Sequence, residues 1–400
     1  MDYKKIILYN EKIRNLGIYS EKELTKYIEK NKETSLIENF KENFKLKFKE
    51  YIITILGYTN TKRKHTNWFP WNRFLDVFKT IGYKCEWIEY NKLVRKNEKR
   101  IFITWNNPTS LELYKSNKVK EYDIVFQKLT SLGKGMEKIN WTNNSFEWNK
   151  KWNWPIYKTV EYLYDNGMNI YGFGCKTNSN DFPEKKRICE KLKDRIFWIT
   201  WGGTPFNWEE ILNSSLKIDN LNDNISFVGS YWGKIGRGNI DAWKKYIVPL
   251  SNTNKFKKYG GPQNYITDEK MKEILKKSKL CPIIHAPSWQ SERGIQDRFY
   301  TVFLSGRFGI CDNLGAIDIF GEEIKEICET NPKKYYEKSL FFHSNYKEQR
   351  KYIEIIQKKI KKKYNFYVQW YNILSSDNLI LKKGNIKIDE KFKYKYFFYY

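Results

Sequence analysis

Apolar residues in this chain occur in short runs that alternate between strand-like and helix-like spacing. Residues 51–57 (YIITILG) form a β-branched run that ends in glycine, which is typical of a buried strand. Apolar residues then recur at helical spacing over 71–81, and 83–90 (YKCEWIEY) returns to a strand-like pattern. A strand, a helix and a strand in this order predict a βαβ unit with parallel pairing, and hence an α/β fold class.

The same alternation continues along the chain. Further strand-like runs lie at 100–105, 122–127, 169–173, 195–201 and 225–229, and a helix is predicted over 155–166. The stretch 214–223 (SSLKIDNLND) is polar and loop-like, and it divides the chain into two halves. We therefore predict two Rossmann-like domains that face each other across a cleft, with an N-terminal helical extension. The predicted divisions are 1–50 for the extension, 51–215 and 216–365 for the two domains, and 366–400 for a C-terminal helix and basic-aromatic tail that packs back on the first domain.

The stretch 280–320 has the clearest organisation. A short apolar run at 281–286 ends in a polar loop, and a helix-like segment follows that stops before Gly306. A second apolar run at 308–311 then leads into the polar turn DNLG. Both polar loops follow the carboxyl end of a predicted strand, which is where open α/β sheets bind their ligands.

Two loops carry candidate ligand-binding side chains. The loop 230–238 places Lys234 and Arg237 among glycines, which suits an anion, although an ordinary glycine-rich surface turn fits equally well. In the second loop the polar residues are His285, Ser288, Glu292, Arg293, Gln296, Asp297 and Arg298. An arginine in the first turn of a helix opposes the helix dipole, so Arg298 requires an anionic ligand or a pairing with Glu292 or Asp297. His285 is also consistent with a hydrogen-bonded histidine at a strand end.

The composition supports folded domains and raises one alternative function. Of 400 residues, 40% are hydrophobic and 18% aromatic, which is enough apolar surface for two cores. The formal net charge of +27 is compatible with a basic nucleic-acid-binding protein. However, the excess lysine is spread along the whole chain and accompanies many Asn, Ile and Tyr residues, whose codons are AT-rich. We therefore expect nucleic acid not to be a partner and keep that function as the alternative.

Several classes of site are absent from the sequence. The six cysteines form no CxxC pair, which favours reduced thiols in a cytosol-like compartment. The three histidines, His65, His285 and His343, lie far apart, and no Asp-x-Asp occurs to hold a metal-bridged diphosphate. No secretory leader is visible and no apolar run approaches the ~18–20 residues that span a bilayer. We expect a cytoplasmic protein without a bound metal, and leave peripheral contact with a membrane open.

The passage SKLCPIIHAPSW…DRFYTVFLSGRFGICDN resembles the donor-binding half of GT-B glycosyltransferases, most of all their CgeB-like (spore-maturation) and group 1 branches. Those enzymes have a strand that ends in a Ser-bearing loop, then R-x-[FE]-E-x-[LA]-x-[SC]-G-x-F, then a strand and an Asp/Asn-Gly turn. The residues that fall in this pattern are Arg298, Ser305, Gly306, Phe308, Asp312, Asn313 and Gly315, with Tyr300 in place of the first aromatic. The residues from Phe227 to Ser230 resemble the first strand of that half. In its Lys, Asn and Tyr content the chain is similar to glycosyltransferases of large DNA viruses, which implies a host-cytoplasmic or virion location.

The resemblance implies metal-independent transfer of a sugar from a nucleotide-diphosphate donor to a glycan, protein or lipid acceptor, without a cofactor. The first domain would bind the acceptor and the second the donor. The donor-binding residues so implied are Gly229, Ser230, Lys234, Arg237, His285, Ser288, Glu292, Asp297, Arg298, Thr301, Asp312 and Asn313. An inverting mechanism needs a base on the acceptor side, for which His65 is the candidate, and otherwise His65 is a solvated loop histidine. A retaining mechanism needs no such base, so both outcomes stay open.

The chain departs from the family pattern at the ribose-binding glutamate. Thr301 occupies that position, and the spacing from Glu292 to Thr301 is longer than that between the paired glutamates of group 1 enzymes. The His-Thr-Tyr run that often ends the family's second domain is echoed at 364–370 without its histidine. A catalytically lapsed GT-B scaffold is therefore a further alternative.

Overall fold

A computed structural model describes residues 26–27, 29–31, 46–57, 68–104, 110, 113–129, 156–174, 183–200, 221–229, 231, 238–261, 266–291, 293–381 and 386–387. Most of the predicted N-terminal extension and of the C-terminal tail therefore lies outside the described residues. Among the described helices, none combines the length and the apolar character needed to cross a membrane.

The first domain is built on a parallel sheet whose described strands have the order β2-β1-β3-β4-β5-β6. The strands are β1 (Ile52–Leu56), β2 (Lys84–Ile88), β3 (Arg100–Thr104), β4 (Ile124–Lys128), β5 (Ile170–Gly174) and β6 (Ile196–Trp198). The helices are α1 (Trp68–Ile81), α2 (Ile156–Asp165) and α3 (Pro183–Lys191), with 3₁₀ turns at Tyr90–Lys92 and Lys193–Arg195. Strands β3, β4 and β5 are buried along their whole length, as expected of a parallel sheet that is covered on both faces. The strands predicted for this half are confirmed.

The second domain has a smaller parallel sheet in the order β8-β7-β9, formed by β7 (Asn222–Val228), β8 (Phe256–Tyr259) and β9 (Ser278–Leu280). Parallel bridges from Ile283 to Cys311 and from Cys311 to Cys328 extend it on the β9 side. Helix α4 runs through three consecutive segments, Ile240–Ala242, a π-helical Trp243–Ile247, and Val248–Ser251. The remaining helices are α5 (Asp268–Lys277), α6 (Pro287–Ser291), α7 (Asp297–Leu304), α8 (Gly315–Phe320), α9 (Pro332–Ser344) and α10 (Tyr346–Lys362), with a 3₁₀ turn at Glu322–Ile327.

In both sheets the first strand lies between the second and the third. The chain therefore leaves β1 and β7 toward one side of the sheet and returns on the other side, which creates a switch point at the carboxyl ends of these strands. Ligands bind in the crevice at such points. The predicted α/β fold class, with two Rossmann-like parallel sheets in successive halves of the chain, is confirmed.

The chain returns to the first domain after α10. Helix α11 (Phe366–Leu374) packs on α1, with the Trp370 ring centre 4.8 Å from that of Phe78. The Tyr367 hydroxyl donates a hydrogen bond of 2.7 Å to Asp76 of α1. Helix α1 therefore packs on its own sheet and also on α11.

Candidate functional site

Arg298 is the second residue of α7, and its side chain reaches across to the carboxyl end of β7. The guanidinium carbon lies 4.1 Å from the centre of the Phe227 ring. A Cβ atom on Gly229 would collide with the Nη2 atom of Arg298, and Gly229 has a φ of +132° that favours glycine. The glycine that ends β7 thus provides the space in which the guanidinium lies.

The Arg298 guanidinium is incompletely paired. Its Nη1 atom is buried and has no hydrogen-bond partner among the described residues. Burial lowers the pKa of Arg298 to about 10, and the charges of Tyr335, Asp312 and Asp297 offset part of that effect. Arg298 therefore remains a cation at neutral pH. Because a buried cation without a full set of acceptors is costly, this position favours an anionic ligand.

A pocket of about 340 Å³ lies beside Gly229, at the end of β8 and the start of α5. Its lining residues are Lys258, Tyr259, Gly260, Ile266, Thr267, Lys270 and Ile274. A Cβ atom on Gly260 would lie 3.5 Å from the backbone nitrogen of Gly229. The pocket, Gly229 and the Arg298 guanidinium are therefore contiguous. A lining that combines isoleucines with lysines, next to the Arg298 guanidinium, suits a ligand that has an apolar or flat part and an anionic part.

His285 and Asp312 form a buried hydrogen-bonded pair at the ends of neighbouring strands. The imidazole Nδ1 lies 2.7 Å from Oδ1 of Asp312, and Nε2 accepts a hydrogen bond of 3.3 Å from the backbone N–H of Gln296. Asp312 also accepts from the backbone N–H of His285 at 3.0 Å and from the side chain of Gln290 at 2.8 Å. These partners fix the tautomer with the proton on Nδ1. Both side chains are fully buried and join the loops to each other, and the predicted ligand contacts of His285 and Asp312 stay predictions.

Asn313 is likewise engaged within the protein. Its side-chain amide donates to the carbonyl groups of Trp289 at 3.1 Å and Gly294 at 2.7 Å, and its oxygen accepts from the N–H of Gly315 at 2.8 Å. The residue is almost fully buried. Asn313 thus joins the loop after α6 to the start of α8, and its predicted donor contact stays a prediction.

The same cluster offers ligand atoms that a metal ion could use. Among the described residues, His285, Cys311 and Asp312 have such atoms within 4.8 Å of one another. Burial and the neighbouring Cys328 hold the pKa of Cys311 well above its usual value, so the thiol stays protonated. Both ring nitrogens of His285 are engaged in hydrogen bonds, Nδ1 with Asp312 and Nε2 with the backbone of Gln296. The polar atoms of this cluster therefore already have partners within the protein.

The two remaining predicted residues of α7 have different environments. Thr301 is buried, and its hydroxyl has no hydrogen-bond partner in the described part of the chain; its predicted donor contact stays a prediction. Asp297 forms an ion pair of 3.2 Å with Arg73 of α1, in the first domain. The sequence reasoning did not select Arg73. The available signal was a charged residue within a helix whose neighbours, such as Phe74 and Phe78, are apolar.

Five of the predicted residues lie outside the described part of the chain: His65, Ser230, Lys234, Arg237 and Glu292. Ser288 lies within α6, and its side chain is outside that part as well. Their roles stay predictions.

No family model matches the chain, and no curated protein matches it. Among solved structures, it resembles T4 phage BGT in complex with its UDP-glucose substrate, at 11% identity over 80% of this chain and 98% of that chain, with a TM-score of 0.47. An alpha-glucosyltransferase in complex with UDP-glucose and DNA containing an abasic site has 11% identity over 81% and 99% of the two chains and a TM-score of 0.49. A TarM variant from S. aureus, in complex with fondaparinux, alpha-GlcNAc-glycerol and UDP, has 13% identity over 69% and 55% and a TM-score of 0.43.

Proposed function

We propose that this chain is a GT-B glycosyltransferase that transfers a sugar from a nucleotide-diphosphate donor to a glycan, protein or lipid acceptor. The observation that carries the proposal is the buried Nη1 of Arg298, which lacks a hydrogen-bond partner among the described residues and lies at the switch point of the second sheet. A diphosphate supplies several acceptor oxygens and a negative charge, which are what this guanidinium lacks.

The neighbouring pocket fits the rest of such a donor. Its walls include the aliphatic side chains of Ile266 and Ile274, and it opens beside Gly229. A nucleoside in this pocket would leave its phosphates next to Arg298. Lys258 and Lys270 add positive charge around the same opening.

The proposed chemistry depends on charge neutralisation by the protein's own cations. As the bond between the sugar and the diphosphate breaks, negative charge grows on the leaving group, and a fixed guanidinium stabilises it without reorganisation. One such donor is worth about 2–4 kcal/mol of transition-state stabilisation. We propose that Arg298 fills this role without a metal ion, together with the predicted Lys234 and Arg237. His65 would be the base if the reaction inverts.

From the motif between Arg298 and Gly315 we propose that the chain belongs to the CgeB-like branch. From the Lys, Asn and Tyr content of the chain we propose that it is of the large-DNA-virus type, with a cytoplasmic or virion location. A thermal-shift screen against UDP-, GDP- and TDP-linked sugars, with and without EDTA, tests the donor class. We expect one nucleotide series to raise the melting temperature in both conditions. The absence of stabilisation by every nucleotide sugar would count heavily against the proposal.

One observation favours a lapsed GT-B scaffold as the second candidate. Thr301 replaces the carboxylate that the resemblance expects, and its hydroxyl is buried. A release assay for the nucleoside diphosphate separates the two candidates, because a lapsed scaffold binds the donor without hydrolysis or transfer. Glycan, protein and lipid acceptors belong in the assay, and duplex DNA serves as a comparison because the net charge is +27.

A further inference from the structure

A carboxylate lies next to the proposed anion site. Asp297 is the first residue of α7, directly before Arg298, and its side chain is 30% exposed. A negative charge is favourable at the start of a helix, but it repels a phosphate that approaches the neighbouring guanidinium. It also offers Arg298 an alternative partner within the protein. Left alone, Asp297 would oppose the binding of an anionic ligand.

The first domain supplies a cation at this point. Arg73 of α1 is only 9% exposed in its side chain, and its Nη1 lies 3.2 Å from Oδ2 of Asp297. The helix that carries it is fixed by its packing on β1 and β2 and by the hydrogen bond from Tyr367 to Asp76. Trp289 of α6, the helix before α7, packs against the core of the same first domain. The Arg73 guanidinium is therefore positioned by the first domain, and it pairs with Asp297 of the second domain.

We infer that Arg73 is a positioning residue of the anion site: it neutralises Asp297, so that Arg298 stays directed toward the ligand and the ligand's charge is tolerated. The inference rests on the proposed function for the identity of the anion. It implies that the donor-side anion site is complete only while the two domains are in contact. Arg73 acts through Asp297 and does not itself touch the ligand.

A double-mutant cycle tests this inference with inorganic pyrophosphate, which needs neither the pocket nor an acceptor, and with UDP. Affinities are measured by isothermal titration calorimetry at low ionic strength for Arg73→Gln, Asp297→Asn and the double variant. We expect Arg73→Gln to weaken pyrophosphate binding by about tenfold, because it removes the positive charge that pairs with Asp297. Asp297→Asn should bind at least as tightly as the wild type. The double variant should recover to within about threefold of the wild type, since no charge is left to neutralise.

Two further variants separate the electrostatic role from a structural one. Arg73→Lys keeps the charge and should retain most of the affinity. Arg187→Gln breaks a different ion pair of the first domain, that of Arg187 with Glu161 at 2.7 Å, and should leave pyrophosphate binding unchanged. If Arg73→Gln does not fold, Asp297→Asn alone still decides, because weaker binding than the wild type contradicts the inference.

The outcomes distinguish this inference from the proposed function. Wild-type affinity in Arg73→Gln, no recovery in the double variant, or no pyrophosphate binding by the wild type would each overturn the role of Arg73. A complete cycle with pyrophosphate but no response to any nucleotide sugar would support the role of Arg73 and remove the glycosyltransferase proposal. Turnover of a nucleotide sugar at the wild-type rate in Arg73→Gln would support the glycosyltransferase proposal and overturn the role of Arg73.

Discussion

Replacement of Arg298 by methionine should separate ligand binding from folding stability. Methionine replaces the aliphatic stem of arginine and fills irregular space, but it carries no charge and needs no hydrogen-bond partner. In the wild type the Nη1 atom is buried without a partner among the described residues. The variant therefore removes an uncompensated charge from the folded protein and, in the same step, the proposed contact with a diphosphate.

The magnitude follows from the pKa. A fall from 12.5 to about 10 corresponds to about 3 kcal/mol against the charged form, at about 1.4 kcal/mol per pKa unit. Because Arg298 as a whole is partly exposed, solvent screening reduces this to about 1–2 kcal/mol. The lost contact with the Phe227 ring, 4.1 Å away, offsets about 1 kcal/mol. The free energy of unfolding should therefore stay within about 1 kcal/mol of the wild type, or rise.

Binding should respond in the opposite direction. Loss of the cation removes about 2–4 kcal/mol from the interaction with a diphosphate, which is about 30- to 1,000-fold in affinity or rate. Urea unfolding at pH 7 gives the stability, and titration with pyrophosphate and UDP gives the affinity. Arg293→Met is the matched control, because Arg293 lies just before α7, is exposed and pairs with the exposed Asp318. It should alter stability by less than about 1 kcal/mol and leave binding unchanged.

Two results would refute the reasoning for Arg298. Wild-type affinity for both anions in Arg298→Met would show that the guanidinium is not the anion site. A loss of more than about 2 kcal/mol in the free energy of unfolding, without any ligand, would show that Arg298 has structural partners that stabilise the fold.

Three other predictions follow from named contacts. Gly229→Ala should displace the Arg298 guanidinium and strain a backbone with φ of +132°, so that both pyrophosphate affinity and melting temperature fall, whereas Gly261→Ala, which meets no atom within 4 Å, should change neither. Asp312→Ala leaves several buried donors without an acceptor and should lower the free energy of unfolding by about 3 kcal/mol, as measured by urea titration. Burial lowers the pKa of Lys49 to about 7 from 10.5, so between these values the unfolded chain binds a proton that the folded chain does not. Wild-type stability should therefore rise from pH 7 toward pH 10 relative to Lys49→Met, and parallel curves would contradict the shift.

The element pattern of the fold could be predicted from the sequence because it depends on local spacing. The continuous apolar run at 51–57 contains β1, and the helical spacing over 71–81 lies within α1, which begins three residues earlier. The run at 308–311 pairs with its neighbours through parallel bridges at Cys311 and through backbone hydrogen bonds, such as the 3.0 Å bond from the Ile283 N–H to the carbonyl of Ile310. Helix α5 begins at Asp268, after Thr267, whose hydroxyl accepts a hydrogen bond of 3.2 Å from the backbone of Lys270. Such interactions join residues that are close in the chain, so local patterns contain the information.

The side-chain roles in the site could not be read in the same way. A polar residue at the carboxyl end of a strand can face a ligand or a partner on the next strand, and both give the same sequence pattern. His285 and Asp312 are separated by 27 positions in the chain, and their side chains form a hydrogen bond with each other. Arg298 has the same kind of position, but its Nη1 finds no acceptor within the described chain. Only the tertiary arrangement distinguishes the two cases.

The high positive charge of the chain is a poor guide to its anion site, and the reason is physical. Lysines on the surface keep their hydration, and ion pairs such as that of Lys270 with Glu273 cancel part of their field. A charged group contributes to specific binding when two conditions hold: it is buried from water, and it has no hydrogen-bond acceptor within the protein. The ligand then supplies the acceptor that water supplied in the unfolded chain. In the described chain, Arg298 meets both conditions at Nη1, and the carboxylate of the preceding residue, Asp297, pairs with Arg73. The response to salt should therefore differ between the two kinds of binding. Pyrophosphate binding at Arg298 should weaken only modestly as ionic strength rises, whereas binding through the dispersed lysines should fall steeply.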